Sequence, residues 1–134
     1  MTVDALHNTI RGRFQTVVAT PLSLPTAYDN AAFTRPQAAP WARWTVLPGE
    51  SFQASFGGAT NRYRTPGVAV AQLFVPIETG DKVALEMAQA VKAAFRGVAV
   101  GGVTFREPSV TRVGRVDDEY QINVTCPWQA DDIA

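Results

Sequence analysis

One apolar segment constrains the fold of this chain more than any other feature. From Val68 to Val75 apolar side chains fall on both sides of an extended chain, and Gln72 is the single interruption. A Thr65-Pro66-Gly67 turn precedes the segment, and Pro76 ends it. A strand that is apolar on both sides needs cover on both faces of its sheet, so the segment is predicted to be the central strand.

Two amphipathic helices are predicted. Apolar residues recur at helical spacing from Val3 to Val18, and Pro21 ends that pattern. A second apolar stripe runs from Asp81 to Arg96, and Gly97 is placed to close this helix in a left-handed conformation. The second helix therefore follows the central strand directly.

Alternating segments joined by short turns predict three hairpins. They are Trp41 to Leu47 with Ser51 to Phe56 around Pro48-Gly49-Glu50, Val98 to Val100 with Val103 to Phe105 around Gly101-Gly102, and Ser109 to Val113 with Glu119 to Cys126.

The order of these elements favours an α+β fold. We expect a mostly antiparallel β-sheet with both α-helices packed on one face, forming a single domain over residues 1–134. Residues 20–40 contain four prolines and are predicted to form a proline-rich loop. We expect a mobile connection over residues 57–67 and a flexible tail over residues 129–134. The second face of the sheet must then be polar or covered by a partner.

Charge and cysteine content narrow the function classes. Lys plus Arg number 12 and Asp plus Glu number 12, so there is no basic field of the kind that marks nucleic-acid binders. Charged residues make up 18% of the chain, which leaves neutral surface suited to subunit contacts. Cys126 is the single cysteine, so an internal disulfide is excluded. The polar N-terminus and the lack of an apolar run of about 20 residues favour a cytosolic protein that does not enter membranes.

The chemistry-bearing residues do not form a recognisable active site. His7 is the single histidine, and Cys126 is predicted to face the core, so a Cys-His pair is not expected. The acidic run Asp117-Asp118-Glu119 is predicted to be a solvated turn. Neither Gly57-Gly58 nor Gly101-Gly102 has the residues of a phosphate loop. The sequence therefore predicts no enzyme activity, no cofactor and no metal site.

Arginine and aromatic residues supply the candidate functional positions. Arg62-Tyr63-Arg64 in the predicted connection suits a solvated loop, a protein interface or a contact with passing DNA, and these alternatives stay open. Trp41 and Trp44 fall on opposite faces of one predicted strand, so one of them is expected in the core. Trp41 and Trp128 are the candidate interface anchors.

Several short sequence segments resemble the tail terminator (tail completion) proteins of long-tailed bacteriophages and prophage-related elements. The similarity extends from about Leu6 to Trp128. It is carried by Tyr28-Asp29-Asn30 through Phe33, Pro66-Gly67 before the strand, Gly80-Asp81 before the second helix, Phe95 before the glycine, and the alternating strand from Tyr120 to Cys126.

The resemblance implies a structural role without catalytic residues. Such proteins form a homo-oligomeric ring, expected to be a hexamer, that caps the tail tube, stops its polymerisation and offers the head-attachment surface. The implied partners are the tail tube protein and a head-completion or connector protein, with DNA passing through without sequence-specific binding. The implied location is the virion tail, after assembly in the host bacterial cytoplasm. Two alternatives remain: a head-tail connector or neck protein, and an α+β domain that binds a small molecule under the proline-rich loop.

We predict that the purified protein carries no stoichiometric metal, because the sequence lacks a set of ligands with metal-binding spacing. Elemental analysis by mass spectrometry should find less than about 0.1 metal ion per chain, and chelation should leave function unchanged. Loss of function on chelation would contradict the structural role.

Overall fold

The computed structural model describes residues 2–134. Helix α1 (Val3–Phe14) continues into a π-helical turn (Gln15–Ala19), and α2 spans Lys82–Phe95. The strands are β1 (Thr26–Tyr28), β2 (Trp41–Pro48), β3 (Phe52–Gln53), β4 (Arg62–Pro76), β5 (Ala99–Val100), β6 (Val103–Phe105), β7 (Ser109–Val116) and β8 (Glu119–Ile133).

Both predicted helices are confirmed. The Thr2 hydroxyl caps α1 by accepting a hydrogen bond from the Ala5 backbone N–H at 3.3 Å. The last turn widens, so that the Thr20 N–H donates to the Gln15 carbonyl five residues back, at 2.9 Å. Gly97 follows α2 with φ of +62°, the left-handed conformation that was predicted to close this helix.

The sheet is built around β4, as the apolar segment from Val68 to Val75 predicts. Strand β4 pairs with β2 on one side and with β8 on the other, both antiparallel. The β4–β8 ladder covers the full 15 residues of each strand. The far edge of β8 pairs with β7 along one half and with β6 along the other, and β1 adds to β2 in parallel.

One face of the sheet carries both helices, so the predicted α+β class and helix placement are confirmed. Trp44 of β2 lies at the centre of this core. Its ring stacks on Phe14 of α1 with centroids 4.3 Å apart and on Phe95 of α2 with centroids 5.3 Å apart. The rings of Phe95 and Phe105 pack edge to face, with their centroids 4.9 Å apart. The first helix, the second helix and the sheet therefore share one aromatic cluster.

The proline-rich loop covers part of the second face. Phe74 of β4 stacks on Trp41 with ring centroids 4.2 Å apart, and Phe33 of the loop stacks on Trp41 at 5.4 Å. Arg35 anchors the loop by ion pairs to Glu119 at 3.0 Å and to Asp118 at 3.4 Å. The double-sided apolar pattern of the central strand is therefore satisfied by helices on one face and by this loop on the other.

The predicted hairpin between Trp41–Leu47 and Ser51–Phe56 is wrong. Strands β2 and β3 do not pair with each other; both pair with β4, along the same edge. The Gly49 N–H donates to the Pro66 carbonyl at 2.7 Å, so residues 48–51 bend the chain without reversing it. The reversal occurs over residues 54–61. The long strand β4 offers a continuous edge to both segments, and that non-local pairing outweighs the local turn preference of Pro48-Gly49-Glu50.

Two segments expected to be irregular are strands. The predicted connection over 57–67 becomes part of β4 at Arg62, and the flexible tail predicted over 129–134 is wrong because β8 runs to Ile133. Each segment supplies the hydrogen-bonding partner of the other. Asn61 and Ala134 close the ladder by exchanging backbone hydrogen bonds of 3.0 and 3.1 Å.

The two C-terminal hairpins are confirmed. The β5–β6 turn uses Gly101 and Gly102 with φ of +57° and +82°, as a two-residue turn of this hand requires. The β7–β8 turn places Asp117 at φ of +53°. Both strands of the second hairpin extend beyond the predicted limits.

We predict that Phe95→Ala lowers the free energy of unfolding by about 3–5 kcal/mol, because it opens a cavity beside Trp44 and Phe105. Urea unfolding followed by tryptophan fluorescence measures this change. Phe56→Ala is the matched control: Phe56 is 80% exposed, so we expect a change within about 0.5 kcal/mol. Equal losses in the two variants would contradict the described core.

Candidate functional site

Strands β4 and β8 continue past the end of β2, where β3 joins them. We call this region the distal ribbon: β3, residues 62–66 of β4 and residues 129–133 of β8, with the loop 54–61 as its tip. Strand β2 does not reach this far, since its pairing with β4 ends at Gly67. The distal ribbon contains the arginine cluster that the sequence singled out.

Arg62 and Arg64 lie on one face of the distal ribbon and share Asp131. Arg64 binds the carboxylate in a two-point arrangement, Nε to Oδ1 at 2.8 Å and Nη2 to Oδ2 at 3.0 Å. Arg62 adds a longer contact, Nη1 to Oδ2 at 3.3 Å. The hydrogen bonds from Arg64 hold the pKa of the Asp131 carboxyl below its ordinary value, and Asp131 in turn raises the pKa of Arg64. The cluster is thus an ordered ion pair on a strand, where a loop was expected.

Tyr63 points to the other face of the distal ribbon, into a groove beneath the start of α1. The groove has a volume of about 330 Å³. Its apolar lining comes from α1, β2, the bend after β2 and the distal ribbon: Val3, Leu6, Val46, Pro48, Tyr63 and Ala130. Asp131 and Asp132 also lie along it, as does His7. We call this feature the α1 groove.

The tip of the distal ribbon displays Phe56. This side chain is 80% exposed, more than any other phenylalanine within residues 2–134. The tip is held by its own hydrogen bonds. The Ser55 hydroxyl accepts from the Arg62 N–H at 2.7 Å, and the Asn61 amide donates to the Gly58 carbonyl at 3.3 Å. An aromatic ring is therefore presented to solvent on an ordered loop.

The two tryptophans proposed as interface anchors are buried within the subunit, so that prediction is wrong. Trp128 is 2% exposed because the in-out alternation of β8 continues past Cys126 and turns this ring towards the helices. It packs over Gly67, where a Cβ would lie 2.4 Å from the ring. Trp41 is 4% exposed, and its Nε1 donates to Glu119 Oε2 at 2.6 Å. Both sheet faces carry apolar cover, which leaves neither ring free.

The single histidine and the single cysteine are separate from one another. Burial raises the pKa of the Cys126 thiol to about 12, so it is not a nucleophile at neutral pH. His7 lines the α1 groove, whereas Cys126 lies within the core. Within residues 2–134 no group of three or more His, Cys, Asp or Glu side chains is placed to hold a metal ion. No helix in that range is long and apolar enough to span a membrane.

Three features of this region were not predicted from the sequence. Asp131 was assigned to a loose tail, and its role follows from the register that sets it opposite Arg64. The α1 groove forms from four distant segments, so no local pattern marks it. Phe56 has a local signal, since Gly57-Gly58 directly follows an apolar residue at the end of an alternating segment.

We predict that Asp131→Asn lowers the free energy of unfolding by at most about 1 kcal/mol at pH 7, because the pair is partly exposed. The pKa of Asp131 is lowered in the folded state, so its contribution is present above about pH 4 and is lost as pH falls through the folded value. Denaturant unfolding at a series of pH values measures the difference between wild type and variant, which should shrink towards zero as pH falls through the lowered pKa of Asp131 in the folded state. Asp118→Asn is the control, because that side chain is 71% exposed. A difference independent of pH would contradict the assigned ion pair.

Comparison with solved structures supports the fold. Seven chains of known structure match this one. One of them superposes with a TM-score of 0.73 at 23% sequence identity, over 97% of this chain and 96% of that chain. At this level of identity the similarity concerns the fold alone. No curated protein sequence matches at a significant level.

The family comparison is more specific. A model of the phage tail terminator proteins matches residues 5–128, which is nearly the whole chain and includes all of the sheet except the last part of β8. The limits agree closely with the stretch over which the sequence resembles that family, and the family is structural and not enzymatic. This chain belongs to the phage tail terminator protein family.

Proposed function

We propose that this protein forms a ring, expected to be a hexamer, that caps the phage tail tube, stops its polymerisation and provides the surface to which the head attaches. The match of the family model over residues 5–128 carries the proposal. The proposed partners are other copies of the same chain, the tail tube protein and a head-completion or connector protein. The protein would act in the virion tail after assembly in the bacterial cytoplasm.

The surface of the subunit supports a role in assembly. A ring needs two different patches on each subunit, and a terminal ring also needs one surface for the tube and another for the head. Exposed apolar side chains occur in separate regions: around the distal ribbon and along β7. They are Leu47, Phe52, Phe56, Tyr63 and Ile133 in the first region, and Val110, Val113 and Val116 in the second.

Strand β7 offers a backbone edge as well as apolar side chains. Within residues 2–134 it pairs with β8 alone, so its outer edge has no strand partner there. An unpaired edge of this length is a template for strand addition. Arg112 and Arg115 are paired with Asp81 at 3.2 Å and with Glu78 at 3.1 Å, so these two ion pairs add no net charge beside the edge. This edge suits an assembly contact.

The uncovered part of the second sheet face suits the passage of DNA. Its central positions hold hydroxyl, amide and small apolar side chains: Thr45, Val70, Gln72, Asn123 and Thr125. Arg43, opposite Gln72, adds one exposed basic side chain to this face, and the Asp29 carboxylate lies 3.4 Å from the Thr45 hydroxyl. The face therefore lacks the basic density that would hold DNA tightly. We therefore propose that DNA passes without sequence-specific binding.

The family assignment favours the tail terminator over the two alternatives. A head-tail connector or neck protein would share the assembly surfaces, but the matching model describes the terminator. A small molecule under the proline-rich loop would compete with Phe33, which already stacks on Trp41 in that position. The assembly role is therefore the function that we propose.

Addition of the purified protein to polymerising tube protein tests the proposal. Tube elongation, followed by light scattering and electron microscopy, should stop when the protein is added, because each growing end receives a cap. Continued elongation in the presence of excess folded protein would contradict the proposal.

We predict that the double variant Arg62→Ala, Arg64→Ala folds but gives tails of uncontrolled length or tails that do not join heads. Arg62 is half exposed and Arg64 about one-third exposed, so both remain available to a neighbouring molecule. Complementation of a phage defective in this gene, with tail length measured by electron microscopy, provides the readout. Arg96→Ala is the control, since Arg96 is an exposed, ion-paired arginine directly after α2 and outside the distal ribbon. Normal tails and normal head joining in the double variant would remove these arginines from the proposed interface.

A further inference from the structure

Three arginine side chains lie together at one end of the sheet. Arg64 is opposite Asp131 in the β4–β8 ladder, and Arg62 reaches the same carboxylate. Arg106, which follows β6, donates from Nη2 to the Gln129 amide oxygen at 2.8 Å. Gln129 and Asp131 are alternate residues of β8, so their side chains share a face and their Cα atoms are about 7 Å apart. We call these five residues the arginine patch.

The arginine patch lies on the face of the sheet that the helices do not cover. Along β8, Trp128 and Ala130 belong to the core beneath the helices, so Gln129 and Asp131 point the other way. The same alternation leads back along β8 to Thr125, one of the central polar positions of the second face. The arginine patch therefore continues the surface along which we propose that DNA passes.

The side chains of the arginine patch carry a net positive charge. Three guanidinium groups share one carboxylate, so two positive charges remain. The neighbouring Glu107 is paired with Lys92 at 3.0 Å and with Arg96 at 2.6 Å, while Arg106 is held by a neutral amide oxygen. Asp132 lines the α1 groove, on the other face of β8. The excess charge is therefore displayed on the second face.

The carboxylates of the second face lie far from this end. Asp29 is bound to Thr45, whose ladder partner Val70 is about 20 Å from Arg64 along β4. The acidic turn over residues 117–119 is about 40 Å from Asp131 along β8, and Arg35 pairs with two of its side chains. The attraction for an anion is therefore concentrated at the distal end of the face.

The hydrogen-bonding groups of the arginine patch fit phosphate. A guanidinium group presents five N–H donors in a planar fork; within residues 2–134 Arg64 uses two of them, and Arg62 and Arg106 use one each. Such forks bind phosphate oxygens at two points. The existing hydrogen bonds hold the side chains in place, so little conformational entropy is lost when an anion binds.

The surroundings of the arginine patch favour DNA over an acidic protein. The core of a protein interface is apolar and depleted in charge, whereas the adjoining stripe of β8 carries the polar side chains of Asn123 and Thr125. Hydroxyl and amide groups donate to phosphate oxygens along a DNA backbone. The exposed apolar residues Phe52 and Ile133 lie at the outer margin of the patch, away from this stripe.

We propose that the arginine patch binds the phosphate backbone of the DNA that passes along the second face. The inference rests on the proposed ring and names the residues of each subunit that touch DNA. Two net charges hold phosphates weakly, so the DNA is guided at one end of the passage and still moves through it. The contact reads no bases, because phosphate contacts carry no sequence information.

Salt-dependent binding of DNA tests the proposal. The purified protein is titrated into a fluorescently labelled duplex of about two helical turns, and binding is followed by anisotropy. For two net charges, log K should fall against log salt with a slope of about −1.8, so the affinity drops about 12-fold between about 50 and 200 mM salt. An unlabelled duplex of unrelated sequence should compete equally well. No salt-dependent binding of the duplex would overturn the proposal.

Arg106→Ala isolates the patch, because Arg106 lies outside the distal ribbon and its partner there is neutral. Its slope should be about −0.9, which leaves a drop of about 3.5-fold over the same range of salt. Arg112→Ala is the matched control: it removes the same charge from an exposed arginine that pairs with Asp81 beside α2. A wild-type slope in Arg106→Ala, or the same loss in Arg112→Ala, would overturn the phosphate contact.

Competition with polyglutamate separates DNA from an acidic protein. Polyglutamate should displace the labelled duplex less well than unlabelled DNA of equal total charge. Equal displacement would overturn the choice of DNA and assign the patch to an acidic protein partner.

The phosphate contact and the proposed cap can fail separately. Arg106→Ala should still stop the elongation of tube protein, because the patch does not form the cap; loss of capping by this folded variant would overturn the proposal. Wild-type protein that caps tubes and does not bind the duplex overturns the phosphate contact and leaves the proposed function standing. Wild-type protein that binds the duplex and does not cap tubes overturns the proposed function and, with it, the role of the patch in DNA passage.

Discussion

The pairing of β4 with β8 determines the layout of the rest of the molecule. These strands run antiparallel over 15 residues each, and the ladder crosses the whole sheet from Arg62–Ile133 to Pro76–Glu119. At one end the pair is sandwiched between α2 and the proline-rich loop. At the other end the pair extends past β2 and, together with β3, forms the distal ribbon. The same ladder therefore provides the packed core of the subunit and the distal ribbon.

The sequence predicted those parts of the fold in which local pattern and tertiary contacts agree. The helices have complete apolar stripes, and the β5–β6 and β7–β8 hairpins have turn residues that match their backbone conformations. The central strand was identified because Val68 to Val75 is apolar on both sides, and both kinds of cover were found. In these elements a short window of sequence contains the information that decides the structure.

The errors share one physical cause, which is pairing between distant segments. Residues 62–66 are basic and contain Pro66, residues 129–133 are acidic, and both are weakly patterned, so each alone resembles a loop or a tail. Placed opposite each other they complete a ladder, and Arg64 meets Asp131 in a two-point ion pair. The same cause explains why β3 joins β4 and not β2, and why the α1 groove could not be foreseen. The arginine cluster was identified from the sequence, whereas the aspartate that binds it was not.

The family assignment supports the proposed assembly role, and so does the distribution of exposed apolar surface on the subunit. Its single cysteine is buried, while an ordered aromatic tip, an apolar groove and a strand edge without a strand partner among residues 2–134 face outwards. The mass of the complex on isolated tail tubes tests this account most directly, by native mass spectrometry of the capped end or by counting subunits in a cryo-electron microscopy reconstruction. The account predicts one closed ring, expected to contain six copies, at the head-proximal end of each tube. Single copies bound along the tube, or no bound copies at its end, would contradict it.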